Sequence, residues 1–330
     1  TLTKSGTNTL TVTGALAHSG GTIISGGTLQ IGTGGTSGTL DGPVTNSGTV
    51  RFHRSDLSTC AATIAGGSFS KLGAGTLVLT GNNSFGAGTL TFGSGTSNSG
   101  YLRLAHPKAL GNYAKVSLVG NNAAVCGIEV TGDHSFAYAI DTVGRNTSAG
   151  ITFLRNVSGF NAWAGPITIT GTGGGYDIES LEDELVITGT IGVAGGLTAT
   201  PRSFGIKGAG DVTFAAPITD TANCQIMLHK SGTGTRRLNH VHTAPGTAWR
   251  AASPCPVPFQ IQSLPPHTNG TARLYWATGT SAAPTGAWQH VEAVWEGGTS
   301  YTATIPPQPP ATYIRSEERR VGKECRSRWS

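Results

Sequence analysis

The sequence predicts an all-β solenoid, a right-handed parallel β-helix over residues 1–243, followed by a shorter β region of different texture. Three observations predict it. Aliphatic residues alternate with Thr, Ser and Gln in runs of three to five, a period of two that means strand rather than helix. Gly, Ser and Asn bound each run, so the strands are short and the corners sharp. The same text then returns along the chain, and repeats that cannot bury their own apolar face must stack on neighbours to do so. Handedness follows from the crossover rule for parallel strands.

Taken in order, Leu10 and Val12 share one strand face, with Thr9, Thr11 and Thr13 on the other, and Thr28-Leu29-Gln30-Ile31 repeats the device. Thr39-Leu40, Val44 and Thr49–Phe52 complete the first unit. Phe69–Gly93 carries a second copy and Met227–Asn239 a worn third. Their shared core is an apolar residue, then Lys, then a Gly-rich turn, then alternating Leu or Val and Thr. Tyr101–Leu104 and Val116–Val119 read as further strands, with His106–Tyr113 a loop or single helical turn between them. Ile128–Val130, Ala137–Ile140, Ile151–Leu154, Ile167–Ile169, Leu185–Thr188, Phe204–Ile206 and Val212–Phe214 continue the alternation. Stability is expected from stacked Leu, Val, Ile and Phe inside continuous backbone ladders, with few salt bridges.

Residues 244–257 break this texture: Pro245, Pro254 and Pro256 suit a linker. Beyond it, Ala272–Thr278, Trp288–Trp295 and Tyr301–Ile305 are longer alternating strands with aromatics, spaced as an all-β sandwich spaces them. Residues 258–314 therefore read as a truncated fibronectin-type-III or immunoglobulin-like β-sandwich module. Arg315–Ser330 resembles, residue for residue, the translation of a common sequencing adapter, and is read as an artefact outside the natural sequence. Its six basic and three acidic residues account for much of the charge: without them the formal net charge falls from +5 to 16 − 14 = +2, given 22 Lys and Arg and 17 Asp and Glu in all. No basic patch interleaved with aromatics remains, so nucleic acid is excluded as a partner.

Glycine at 50 of 330 residues without a G-X-Y period excludes collagen, and 12% charged residues with abundant aliphatics exclude a disordered tail. No apolar run is long enough to cross a membrane as a helix, so no membrane contact is expected of this segment itself. The chain does not begin with Met and is read as a fragment of a longer protein. Cys60, Cys126, Cys224 and Cys255 lie far apart, which excludes a CxxC site and suits buried core positions.

Leu2-Thr3-Lys4-Ser5-Gly6, Gly26–Gly32 and Lys71–Asn83 resemble the passenger-associated transport repeat, the autotransporter-associated β-strand repeat of large secreted bacterial proteins. The resemblance is good over Leu2–Gly93 and degenerate to about residue 243. It implies a secreted or cell-surface β-helical stalk on the bacterial exterior, structural and non-catalytic, that aids passenger folding, secretion and display. An adhesin or carbohydrate-binding surface protein is the alternative, with extracellular glycans or a host or neighbouring cell surface as partner. A β-helical polysaccharide lyase or glycosidase is a second alternative.

No catalytic or cofactor-binding residues are assigned. The densest acidic stretch, Asp177 to Glu184, reads as a solvated turn; Asp177, Glu179 and Asp183 are the residues a Ca²⁺ ion would take from it. A lyase or glycosidase would need such carboxylates to face one cleft. His229, His240 and His242 read as surface histidines rather than a metal site, because metal binding needs a third ligand and a second shell. Trp276, Trp288 and Trp295 are candidates for a sugar-stacking platform, although at strand period such residues are more often sandwich core.

Overall fold

A computed structural model describes the chain except residues 17, 19, 94–99, 120–125, 144–151, 172–174, 198–201, 220–223, 225, 235, 241–247, 252–256, 263–271, 280–288, 298–299, 307–312 and 321–330. The described residues form strands and turns and no helix. The strands wind as a parallel β-solenoid with three faces. The first face opens with Leu2–Lys4, Thr22–Ile24, Val44–Asn46 and Ile64–Ala65, each paired in parallel with the next. The second opens with Thr9–Val12, Thr28–Ile31, Thr49–His53 and Ser68–Leu72. The third holds the longest parallel ladder, from Ser58–Cys60 through Thr76–Leu79, Gly100–Leu104, Cys126–Thr131 and onward to Ala248–Ala251.

Register shows how alternation becomes a core. Leu2 faces Thr22, Thr22 faces Val44 and Val44 faces Ile64, so the first turns step by 20, 22 and 20 residues. Farther on Leu102 faces Ile128 and Ile128 faces Leu154, steps of 26. Within a strand every second side chain points inward, and in-register stacking places like on like. Leu77, Leu102, Ile128, Leu154, Ile178 and Ile206 thus form one column, all fully buried. Aromatics stack the same way: the Phe69 and Phe85 rings lie 5.0 Å apart, and Phe136 stacks on Trp163 at 6.0 Å. Each such side chain loses ~1.5–3 kcal/mol of favourable burial if left in water, so no single turn is stable without its neighbours.

Residues 106–113 form hydrogen-bonded turns, Ala109 N–H donating to the His106 carbonyl and Gly111 N–H to that of Lys108. They occupy a first-face position, since the Asn112 N–H donates to Phe85 O at 2.9 Å.

The sandwich expected of residues 258–314 is not confirmed. Ala248–Ala251, inside the stretch read as a linker, pairs in parallel with Ile226–Lys230 and extends the third-face ladder. Val257–Gln262 extends the first face by pairing in parallel with Arg236–His240. Ala272–Gly279, Gln289–Gly297, Ser300–Ile305 and Tyr313–Arg320 then pair antiparallel, edge to edge, and join those two ladders. Proline density suggested a break, but a proline removes only its own donor, and the neighbouring residues keep theirs.

Candidate functional site

Two constructions recur along the solenoid, one inside its corners and one outside its third face. The inner one starts from the Lys of the repeated text. In Leu2-Thr3-Lys4, Phe69-Ser70-Lys71 and Leu228-His229-Lys230 the lysine stands two residues after an inward apolar residue, so the strand period aims it inward. All three are buried. Each Nζ donates to the carbonyl of the glycine two residues on, Lys4 to Gly6 at 2.9 Å, Lys71 to Gly73 at 3.0 Å and Lys230 to Gly232 at 3.0 Å. Those glycines turn with φ of 72°, 81° and 84°, the left-handed region that L side chains rarely adopt. The ammonium therefore satisfies carbonyls that the sharp corner turns inward. Lys4 also donates to Ser5 O at 2.7 Å and, across to the next turn, to Gly26 O at 3.0 Å.

The three copies sit at three different corners. Lys4 closes the passage from first to second face, Lys71 that from second to third, and Lys230 that from third to first. The motif is a portable corner rather than a marker of one face. Where Asn46 replaces the lysine, its amide does similar work, donating to Gly66 O and Ser68 O at 3.2 and 3.1 Å. Burial pushes the Lys71 ammonium down to about 8, although its charge lies 5.8 Å from the Phe92 ring.

The outer construction is a ladder of alternating charge. Register places Arg103, Glu129, Arg155, Glu179 and Lys207 in one row, each on a successive turn of the third face. Arg103 Nε meets Glu129 Oε2 at 2.7 Å, Arg155 reaches Glu129 Oε1 at 3.0 Å and Glu179 Oε2 at 2.7 Å. Lys207 binds Asp177 at 2.6 Å instead of its register partner. Arg155 also lies over the Tyr101 ring at 4.7 Å. Burial opposes its charge, but Tyr101 and the carboxylates of Glu179 and Glu129 outweigh that and hold it more basic than usual. With Lys115–Asp141 on the second face at 2.8 Å and Arg54–Asp56 at 2.7 Å, ion pairs are a regular feature here, contrary to the few expected.

This geometry decides where the acidic candidates stand. Asp177 is held by Lys207, and Glu179 by Arg155 and the Thr152 hydroxyl. Asp183 lies at a corner with φ of 52° and accepts the Gly159 N–H at 2.8 Å. The three carboxylates are thus committed to separate partners. Among the described residues no group of three or more His, Cys, Asp or Glu is placed to hold a metal ion. The backbone places His240 and Trp276 and Trp295 in strands, Trp276 opposite Gln289 and Trp295 opposite Tyr301. Trp288 and His242 lie outside the described residues.

A family model described as Passenger-associated-transport-repeat matches residues 2–31 and 69–86. The chain carries the passenger-associated transport repeat. The first matched stretch begins on the first face and the second on the second, each with its corner lysine near the start. The third copy, around Lys230, lies beyond the matched residues and is recognised by its hydrogen bond. The chain is similar to the adhesin BmaC autotransporter of Brucella suis biovar 1 (strain 1330), 45% identical over 74 residues, which is 22% of this chain and 2% of that protein. No solved structure matches the chain. Repeat and relative together mark a secreted or cell-surface, autotransporter-passenger-like protein.

Proposed function

We propose that the chain is a structural, non-catalytic stalk segment that extends from a bacterial surface, presents other modules, and helps a passenger fold as it is exported. The observation that carries this reading is the interchangeability of its turns. The same lysine corner serves all three faces, and successive turns bury their apolar rows only against one another. Such a body adds length without a unique centre, and each formed turn offers the next a ready hydrogen-bonding edge.

Removing one complete turn, residues 44–63, tests it. Ile64 takes the place of Val44 in the first-face ladder, since the two are register partners. The shortened chain should remain folded and protease-resistant, and its scattering length should fall by about 5 Å, one strand spacing. Loss of folding, or release of product from pectins and related glycans by the intact chain, would overturn the reading.

A second reading, adhesion to extracellular glycans or to a neighbouring cell surface, is favoured by the adhesin name of the relative. A glycan array probed with the intact chain and with Trp276→Ala and Trp295→Ala tests it. Signal lost on substitution supports it, and no signal with the intact chain rejects it.

A further inference from the structure

We propose that residues 257–305 are an end cap, a run of antiparallel strands that covers the solenoid's first-face ladder at this end and blocks further parallel strand addition there. This goes beyond the stalk reading and does not depend on it. A parallel ladder ends in a row of unpaired N–H and C=O groups, a template for any strand of similar alternation, including one from a second copy of the chain.

The backbone shows how this end is treated. On the third face the antiparallel partner of Ala248–Ala251 is Tyr313–Arg320, most of which is the adapter-like tail, and it is left out of the cap. On the first face Val257–Gln262 is covered by antiparallel Ser300–Ile305, in continuous register from Val257 opposite Ile305 to Gln262 opposite Ser300. Gln289–Gly297 pairs with Ser300–Ile305, then with Ala272–Gly279, which pairs with Tyr313–Arg320. Val257–Gln262, Ser300–Ile305 and Gln289–Gly297 therefore each have a neighbour on both sides, and the first-face ladder keeps no open parallel edge at this end.

Sequence chemistry supports a stop at this point. Pro258 stands near the start of the Val257–Gln262 strand, and Pro306 follows the antiparallel partner at that same end. Proline has no N–H to donate, so the pairing is confined rather than propagated. Solenoids in general need ends that do not continue the stack if they are to stay soluble.

The cap uses no residue of the adapter-like tail, and the test is placed on the first face. Three chains are compared by light scattering after size exclusion and by amide hydrogen exchange: the parent, a T302P/A303P variant that interrupts the cap, and a chain ending at residue 243. Both altered chains should assemble into species several-fold heavier than the parent, with mass rising with concentration. Amides of Arg236–His240 should exchange at least tenfold faster whenever the altered chains are dilute. Strands of the body, such as Lys115–Leu118 and Cys126–Thr131, should keep their protection. Altered chains with the parent's mass and unchanged protection at 236–240 would overturn the proposal. So would loss of protection throughout the body, which would make these strands part of the core rather than a separable cap.

Discussion

Replacing the corner lysine Lys71 by Met is expected to stabilise the protein at neutral pH and to remove a rise in stability at alkaline pH. The folded chain holds this ammonium at about 8 against an ordinary value of 10.5, chiefly through burial. A lysine with a depressed folded value binds fewer protons folded than unfolded between those two points, so stability rises with pH across that window. At pH 7 the penalty is about 3 kcal/mol, from a shift of about 2.5 at 1.36 kcal/mol each; by pH 9.5 roughly 2 kcal/mol of it is relieved. Met keeps the apolar stem but loses the bond to Gly73 O, worth about 1.5–2 kcal/mol because its donor is charged. The net gain at pH 7 is then ~1–1.5 kcal/mol, turning to a small loss by pH 9.5. Urea midpoints of parent and variant at the two pH values measure this, and their difference cancels groups common to both. A variant less stable than the parent at pH 7, with a parallel pH dependence, would refute the reasoning and make the charged lysine a net stabiliser.

The other constructions give sharper losses. Glu129→Gln leaves Arg103 and Arg155 facing an uncharged amide at the most buried point of the outer ladder, and should cost ~2–4 kcal/mol in denaturant unfolding. Ile128→Ala opens a cavity in a fully buried column and should cost ~2–5 kcal/mol, with hydrogen exchange quickening in Gly100–Leu104 and Thr152–Ser158 on either side. Gly73→Ala forces a Cβ into the Arg54 carbonyl oxygen at a left-handed φ, and a fall of at least ~2 kcal/mol is expected where an open turn would lose far less. Burial pushes the Cys60 thiol up to about 11, so the folded state disfavours its thiolate and stability should fall as pH rises from 9 towards 11. Cys60→Ala should flatten that alkaline fall in a pH series of urea midpoints.

Much of the body was legible because period two is a local signal. Thr9–Val12 and Thr28–Ile31 are strands as read, with Leu29 and Ile31 buried and Gln30 between them on the other face. The role of the lysines was also present in that period, since Lys4 follows Leu2 by two residues, but a charged residue on the apolar side reads as an exception until its carbonyl partners are seen. The outer ladder was not legible. Arg103 meets Glu129 across 26 residues, whereas the first turns step by 20, 22 and 20, so pairing depends on corner lengths that composition does not fix. Asp177 and Glu179 looked like a possible calcium site for the same reason, because their cations, Lys207 and Arg155, lie 30 and 24 residues away. At the far end, prolines at 245, 254 and 256 suggested a linker and a separate module, while backbone pairing carries the ladder through Ala248–Ala251 and Val257–Gln262.

Dipolar EPR on paired spin labels tests the stacked-turn architecture most directly. With one label at Thr91 and the other at Ser117, Asp141 or Thr168, the partners are 26, 50 and 77 residues away but stand one, two and three turns along a single second-face row. Separations growing in equal increments of about 5 Å are expected from the spacing of paired strands. Separations that scatter, or that level off as they would across a compact globule, would contradict it.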